Sequence, residues 1–389
     1  MAANTELERT LAEIEAGRAA GMHLGAQLAV WRDDELIADV AVGEARPGTP
    51  MTTEQMIIWW SMTKASTAVA TALCWERGLL DVEAPVTVYV PEFGKHGKDA
   101  LTLRHLLTHT GGFTPADRVQ SNALDPDEWW DDVVRAICES PTDDGWVPGR
   151  DAGYHLWCSM QILGECVQRV SGRRYPEFVR DEIFLPLGMD DCWVGMPIDV
   201  AERYGDRLGT MFNTEGVVNG TEEEPRSLAL LDQPAVVSRS MPGGYGRGPM
   251  NQLVRMYRML VRGGELDGVR ILRPQTVAAA SARHRTGIHD RTFGVVMDWG
   301  LGFNIDGGSM GRHCSPRTFG HGGAQSSVAF ADPEFGIAAA IQVNGMPGNE
   351  AHYKRFARIC TALYDDLGVH WAGPEGRDKP LPGAGMASA

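Results

Sequence analysis

Ser61 and Lys64 stand three residues apart at the head of Ser61–Arg77, a segment with a helical pattern that Gly78 closes. At that spacing two side chains share one face of a helix. The chain uses only five lysines against 31 arginines, and it has fifteen serines. Random placement would give a Ser-x-x-Lys match only about 0.2 times. The residues that follow Lys64 are Ala, Ser, Thr, Ala and Val, with no carboxylate to pair a surface ammonium. Burial disfavours the charged amine and lowers its pKa. A neutral amine beside a hydroxyl can take its proton, which an always-protonated guanidinium cannot do. The chemistry that follows is nucleophilic: a serine activated by a lysine and able to form a covalent intermediate.

The elements that must hold this pair can be read on either side of it. Leu7–Ala20 is amphipathic and helical in pattern. Ala26–Arg32 and Glu35–Gly43 are β-like runs around the polar turn Asp33-Asp34, a hairpin signal. The middle of the chain predicts short helices at Leu103–His109, Pro126–Glu139, Met160–Val170, Pro176–Phe184 and Met250–Arg262, the last closed by Gly263-Gly264. Strand patterns return at Ser327–Ala331 and Gly336–Asn344, and a final helix is expected over Glu350–Leu367. The fold class expected is α/β (α+β): an antiparallel sheet flanked by helices, built from both chain ends, with a large mainly helical insertion. The expected units are residues 1–60 with 265–372 as the sheet domain and 61–264 as the helical one. Residues 373–389, rich in Gly and Pro, are expected to be a disordered tail.

The Ser-x-x-Lys opening is the signature of class A β-lactamases and penicillin-binding proteins. With it come Arg77-Gly-Leu-Leu-Asp-Val-Glu-Ala-Pro-Val, Leu101-Thr-Leu-Arg-His-Leu-Leu-Thr-His-Thr-Gly-Gly, Phe184-Leu-Pro-Leu-Gly-Met, Gly263-Gly-Glu-Leu-Asp-Gly and Phe319-Gly-His-Gly-Gly. As an ordered set these resemble the serine β-lactamase-like superfamily, closest to its class C and family VIII carboxylesterase branch. The resemblance implies an active site at the domain interface, with Ser61 as nucleophile and Lys64 as base. It implies that Tyr154 fills the place of the tyrosine in the family's Tyr-x-Asn element. Leu156 stands where the asparagine would be, which leaves open whether His155 replaces that amide. The family's Lys-Thr-Gly strand corresponds to His321-Gly322-Gly323-Ala324, so His321, Gly322 and Gly323, together with His155, are expected to contact substrate. The backbone N–H groups of Ser61 and Ala324 are implied as the oxyanion hole, an arrangement of fixed donors that stabilises developing negative charge.

The reading is a serine hydrolase or acyl-transfer enzyme, most simply a carboxylesterase on small neutral esters. An acyltransferase, a β-lactamase or D-peptidase, and a non-catalytic acyl-binding protein are the alternatives. The expected partners are a small-molecule acyl donor, ester or thioester, and water or an alcohol or amine as acceptor, with no metal and no organic cofactor. Neutral esters are favoured because His321 replaces a lysine that would hold a substrate carboxylate, although Arg312 and Arg317 lie near enough in sequence to restore a cation. The net charge of −15 repels polyanions, which argues against nucleic acid and anionic membrane surfaces. No run of 18 apolar residues is present to span a bilayer. The charged N-terminus lacks an apolar signal core, and seven scattered cysteines fit reduced thiols, so a cytoplasmic address is expected.

Other patterns carry less. Gly307-Gly308-Ser309-Met310-Gly311 matches a nucleophile elbow by letters but lacks a strand-to-helix setting. His105 and His109 are four apart without the glutamate of a zinc protease.

Overall fold

A computed structural model describes residues 7–372 and Leu381. Two chain-distant groups of strands form an antiparallel eight-stranded sheet. In chain order its strands are β1 (Gly25–Arg32), β2 (Glu35–Arg46), β3 (Thr49–Pro50), β4 (Asp298–Trp299), β5 (Asn304–Ile305), β6 (Phe319–Gly323), β7 (Ser327–Asp332) and β8 (Ile337–Val343). Their spatial order is β4-β5-β6-β7-β8-β1-β2-β3. The expected hairpin is β1–β2, and its turn residues Asp33 and Asp34 have φ of 47° and 69°. Two-residue hairpin loops favour such left-handed positions because their twist matches the strands. The register Ala29↔Ala340 joins the early strands to the late ones.

Alternation along the central strands decides what packs on each face. Val328, Phe330, Ile341 and Val343 meet Leu28 and Val30 on one side, under helices α1 (Glu8–Ala19) and α6 (Asn349–Asp366). Ala29, Ala329, Ala331, Ala338 and Ala340 face the opposite core. That alanine surface lets helix α5 (Met250–Val261) lie close to β8 and β1. The same core continues into α2 (Thr63–Glu76), α3 (Pro126–Glu139) and α4 (Cys158–Ser171). Strands of the main sheet lie within Gly25–Pro50 and Asp298–Val343, with the helices α2 to α5 between them in sequence.

The helix expected from Ser61 begins at Thr63 instead, and Trp60–Met62 form a 3₁₀ turn ahead of it. The cause is Trp60, whose φ of 51° reverses the chain just before Ser61. The helix expected to reach His109 stops at Leu107, and His109 has φ 56°. The edge strands β4 and β5 were not anticipated. The expectation of a disordered tail at 373–389 lies outside the described residues, apart from Leu381. All seven cysteines are buried and unbridged.

The strand that borders the 3₁₀ turn demands a glycine. A Cβ on Gly323 would sit 2.2 Å from Ser327 Oγ and 2.3 Å from the Trp59 carbonyl oxygen, whereas one on Gly322 would meet nothing closer than 3.5 Å. Overpacking of this kind costs about 2 kcal/mol. Gly323→Ala is therefore expected to lower the melting temperature by a few degrees in a thermal unfolding scan, with Gly322→Ala within a degree of the parent. Equal stability of the two variants would contradict the close approach of β6 to Trp59.

Candidate active site

Ser61 is held by a turn pinned on several sides. The Trp59 amide donates to the Gly246 carbonyl at 2.7 Å. Its indole N–H donates to the Gly248 carbonyl at 2.8 Å. Thr63 Oγ donates to the Trp60 carbonyl at 2.6 Å and accepts from the Gly246 amide at 2.8 Å, bridging the turn to the Gly246–Gly248 strand. A non-glycine residue at positive φ is strained unless its surroundings over-determine it. These bonds supply that determination for Trp60.

One helical turn later, Lys64 is fully buried. Its Nζ lies 2.9 Å from Ser61 Oγ, 2.5 Å from the Leu156 carbonyl oxygen and 2.8 Å from the Gly243 carbonyl oxygen. Burial brings its pKa down from the ordinary 10.5 to about 7, opposed in part by the charge of Asp117. A neutral amine has two N–H bonds and one lone pair. With both N–H groups given to the two carbonyls, the lone pair is left for the Ser61 hydroxyl.

Tyr154 closes the group. Burial raises the pKa of its hydroxyl well above 10, opposed in part by the Ser61 side chain. Lys64 Nζ lies 4.9 Å from the ring centroid. The ring is packed among His109 (4.5 Å between centroids), Phe293 (4.7 Å), Trp299 (5.8 Å) and His321 (5.9 Å). Its backbone is fixed from two sides: the amide donates to Asp290 Oδ1 at 3.1 Å, and the carbonyl accepts from Thr292 Oγ at 3.0 Å. Asp290 is buried with Arg285, whose guanidinium lies 2.7 Å away.

Asp117 does the same for residues 156 to 158. Its carboxylate accepts from the amides of Leu156 (2.7 Å), Trp157 (3.0 Å) and Cys158 (3.0 Å). The Leu156 carbonyl is thereby aimed at Lys64. Leu156 borders the cavity and contributes its backbone carbonyl to the lysine. Asp117, Asp290 and the Gly243 carbonyl were not found by sequence reasoning. No local pattern marks a carboxylate whose partners are amides 39 or 136 residues away.

The cavity beside these groups has a volume of about 1280 Å³. Ser61, Tyr154, His321, Gly322, Gly323 and Ala324 all border it. His155 does not. Its ring is buried behind the cleft, 4.4 Å from that of Phe113, and Nε2 accepts from the Phe113 amide at 3.4 Å. The fold thus sets Tyr154 against the cleft and its neighbour His155 away from the cleft wall. His321 Nδ1 bonds the Gly322 carbonyl at 2.7 Å. Burial, and then the charge of Lys64, take its pKa down to about 3, so the ring is neutral.

Arg312 and Arg317 are not among the residues bordering the cavity, and Arg317 lies 3.6 Å from Glu334. Arg239 borders it instead, donating to the Ala123 carbonyl at 3.1 Å beside the Trp129 ring. Ser309 is also on the wall, but within a 3₁₀ turn, Gly308–Met310, rather than a nucleophile elbow. His105 caps its own short helix with Thr102.

The rarity of lysine makes the amine directly measurable. With lysine labelled at Cε, five carbon resonances are expected in the NMR spectrum, and the one lost in Lys64→Met should titrate near pH 7. A midpoint near 10 for that resonance would contradict the burial argument.

The chain is 29% identical over 369 residues to the esterase/beta-lactamase LipL of Mycobacterium tuberculosis, covering 86% of this chain and 80% of that one. It is 27% identical over 355 residues to the esterase EstB of Burkholderia gladioli, covering 84% and 88%. The crystal structure of a family VIII carboxylesterase superposes with a TM-score of 0.78 at 25% identity, over 93% of this chain and 98% of that one. The beta-lactamase family profile matches residues 11–363, and the chain belongs to that family.

Proposed function

We propose that this protein is a serine acyl-transfer enzyme that forms an acyl-enzyme on Ser61 and acts as a carboxylesterase on small neutral esters. The observation that carries the reading is the neutral-amine geometry: Nζ 2.9 Å from Ser61 Oγ, with two carbonyls placed to take both of its N–H bonds. Lys64 takes the Ser61 proton as Oγ attacks the ester carbonyl carbon. The Ser61 and Ala324 amides stabilise the oxyanion. The tetrahedral intermediate then expels the alcohol, which takes its proton through Tyr154. Tyr154 suits this step because burial keeps its hydroxyl protonated. Water, activated by the same pair, releases the acid and restores Ser61.

The esterase names borne by two relatives support this reading, as does the neutral His321 in the place where a carboxylate-binding lysine would be. A cavity of about 1280 Å³ exceeds the roughly 300–1,000 Å³ of ordinary ligand pockets. That excess supports an alcohol or amine acceptor alongside the donor, so acyl transfer is the second reading. No helix among the described residues is long and apolar enough to cross a membrane, and seven buried, unbridged thiols fit a cytoplasmic setting.

A fluorophosphonate probe is expected to label the chain once, at Ser61, and not at all after Ser61→Ala. Lys64→Arg should lose at least about a thousandfold in kcat/KM, since the charge stays but the base is gone. Labelling at Ser309, or an active arginine variant, would overturn the assignment.

The rate of the parent enzyme should fall as pH drops through about 7, because Lys64 is protonated and inactive below its pKa. A short acyl ester should be turned over at least roughly a hundredfold better than a chromogenic cephalosporin, the discrimination given by about 2.7 kcal/mol of missing polar contacts. Comparable kcat/KM values would show that another cation, Arg239 by position, holds the carboxylate.

A further inference from the structure

Away from the catalytic cleft, three metal-ligating side chains converge where the end of α6 meets the loop that follows the Gly308–Met310 turn. They are His313 from the loop, Asp365 from the last turn of α6, and His370 just beyond it. His370 Nε2 lies 2.9 Å and His313 Nε2 3.4 Å from the same oxygen, Asp365 Oδ1. One ligand atom from each of the three falls within 4.8 Å of the others. The two imidazole rings face each other with centroids 4.2 Å apart and planes 31° from parallel.

We propose that His313, Asp365 and His370 form a binding site for a divalent transition ion of the zinc type. Zinc takes imidazole nitrogen and carboxylate oxygen at about 2.0–2.2 Å in a tetrahedron, which sets neighbouring ligand atoms roughly 3.3 Å apart. The two measured separations, 2.9 and 3.4 Å, bracket that edge. Two neutral imidazoles and one carboxylate leave the fourth position to water. The donor set excludes calcium and magnesium, which require a shell of oxygens. The side chains are 26%, 29% and 53% exposed, so an ion can reach them from solvent.

The site also has something to hold. The Trp371 amide donates to the His313 carbonyl at 3.1 Å, and the Arg312 amide donates to Thr361 Oγ at 3.1 Å, so the loop already leans on α6. At its other end the same loop supplies Gly307, Gly308 and Ser309 to the wall of the cavity. A bound ion would clip that loop to α6 and the residues after it, bracing the wall without entering the chemistry.

The test is titration of the tag-free full chain with zinc chloride, after treatment with a chelator, followed by isothermal calorimetry and by thermal unfolding. One equivalent is expected to bind with a dissociation constant in the micromolar range, and to raise the melting temperature by a few degrees. His313→Ala, His370→Ala and Asp365→Asn should each weaken binding at least tenfold and abolish the thermal shift, while the zinc-free variants melt within a degree or two of the parent. Failure of zinc to bind below about 1 mM, or undiminished binding by the two histidine variants, would overturn the site.

Discussion

A buried amine held between two backbone carbonyls and one serine hydroxyl is the constraint on which the rest of this structure turns. Lys64 has no solvent to share its N–H groups with, so the chain must supply partners in fixed positions, and it supplies backbone carbonyls of Leu156 and Gly243. Carbonyls hold the amine without charging it. A carboxylate in either place would hold the lysine as an ammonium and end its use as a base. The nearest carboxylate, Asp117, is instead occupied by three amides of the segment it positions. Removal of solvent outweighs its charge, and the lysine titrates near pH 7, so a large share of it is uncharged at neutral pH.

The fold can be understood as the frame that brings this set together. Ser61 comes from the 3₁₀ turn ahead of α2 and Lys64 from the start of α2, Tyr154 and Leu156 from the segment before α4, Gly243 from the loop ahead of α5, and the Gly322-Gly323-Ala324 edge from β6 and its turn. Their common support is the sheet, whose late strands pair with the early ones through β8 and β1. β6 reaches the nucleophile turn because Gly323 has no side chain to hold it off. Asp290 and Asp117 then fix the tyrosine segment from opposite ends, one through residue 154 and the other through residues 156 to 158. Precision at the site is thus a property of hydrogen bonds that two carboxylates make to the backbone of one segment.

What was legible in the sequence follows from what a local pattern can encode. The Ser-x-x-Lys spacing, the hairpin at Asp33-Asp34 and the helix over Pro126–Glu139 are all set by residues within a few positions of each other, and the structure has each of them. The helix starting point at Thr63 rather than Ser61 was not legible, because it depends on the left-handed conformation of Trp60, which is maintained by Gly246 from far along the chain. Whether His155 replaces the absent asparagine stayed open in the sequence, because no local pattern shows that its ring packs on Phe113 rather than on the cleft wall. Asp117 and Asp290 were invisible for the same reason: each is an ordinary acidic residue until its amide partners fold onto it. The cation at the cavity was sought in Arg312 and Arg317, near His321 in sequence, whereas the fold brings Arg239 to the wall.

The central claim is that an ester carbon becomes bonded to Ser61 Oγ during turnover. Rapid acid quench of the enzyme with a short aryl ester, followed by intact-mass and peptide mass spectrometry, tests this without depending on a mimic of the substrate. The account predicts a chain heavier by one acyl group, with the added mass on the peptide that contains Ser61, and no such species when Lys64 is replaced by arginine. Turnover of the ester with no acyl mass on Ser61 at any quench time, in conditions where a stable adduct on another residue is readily seen, would contradict it.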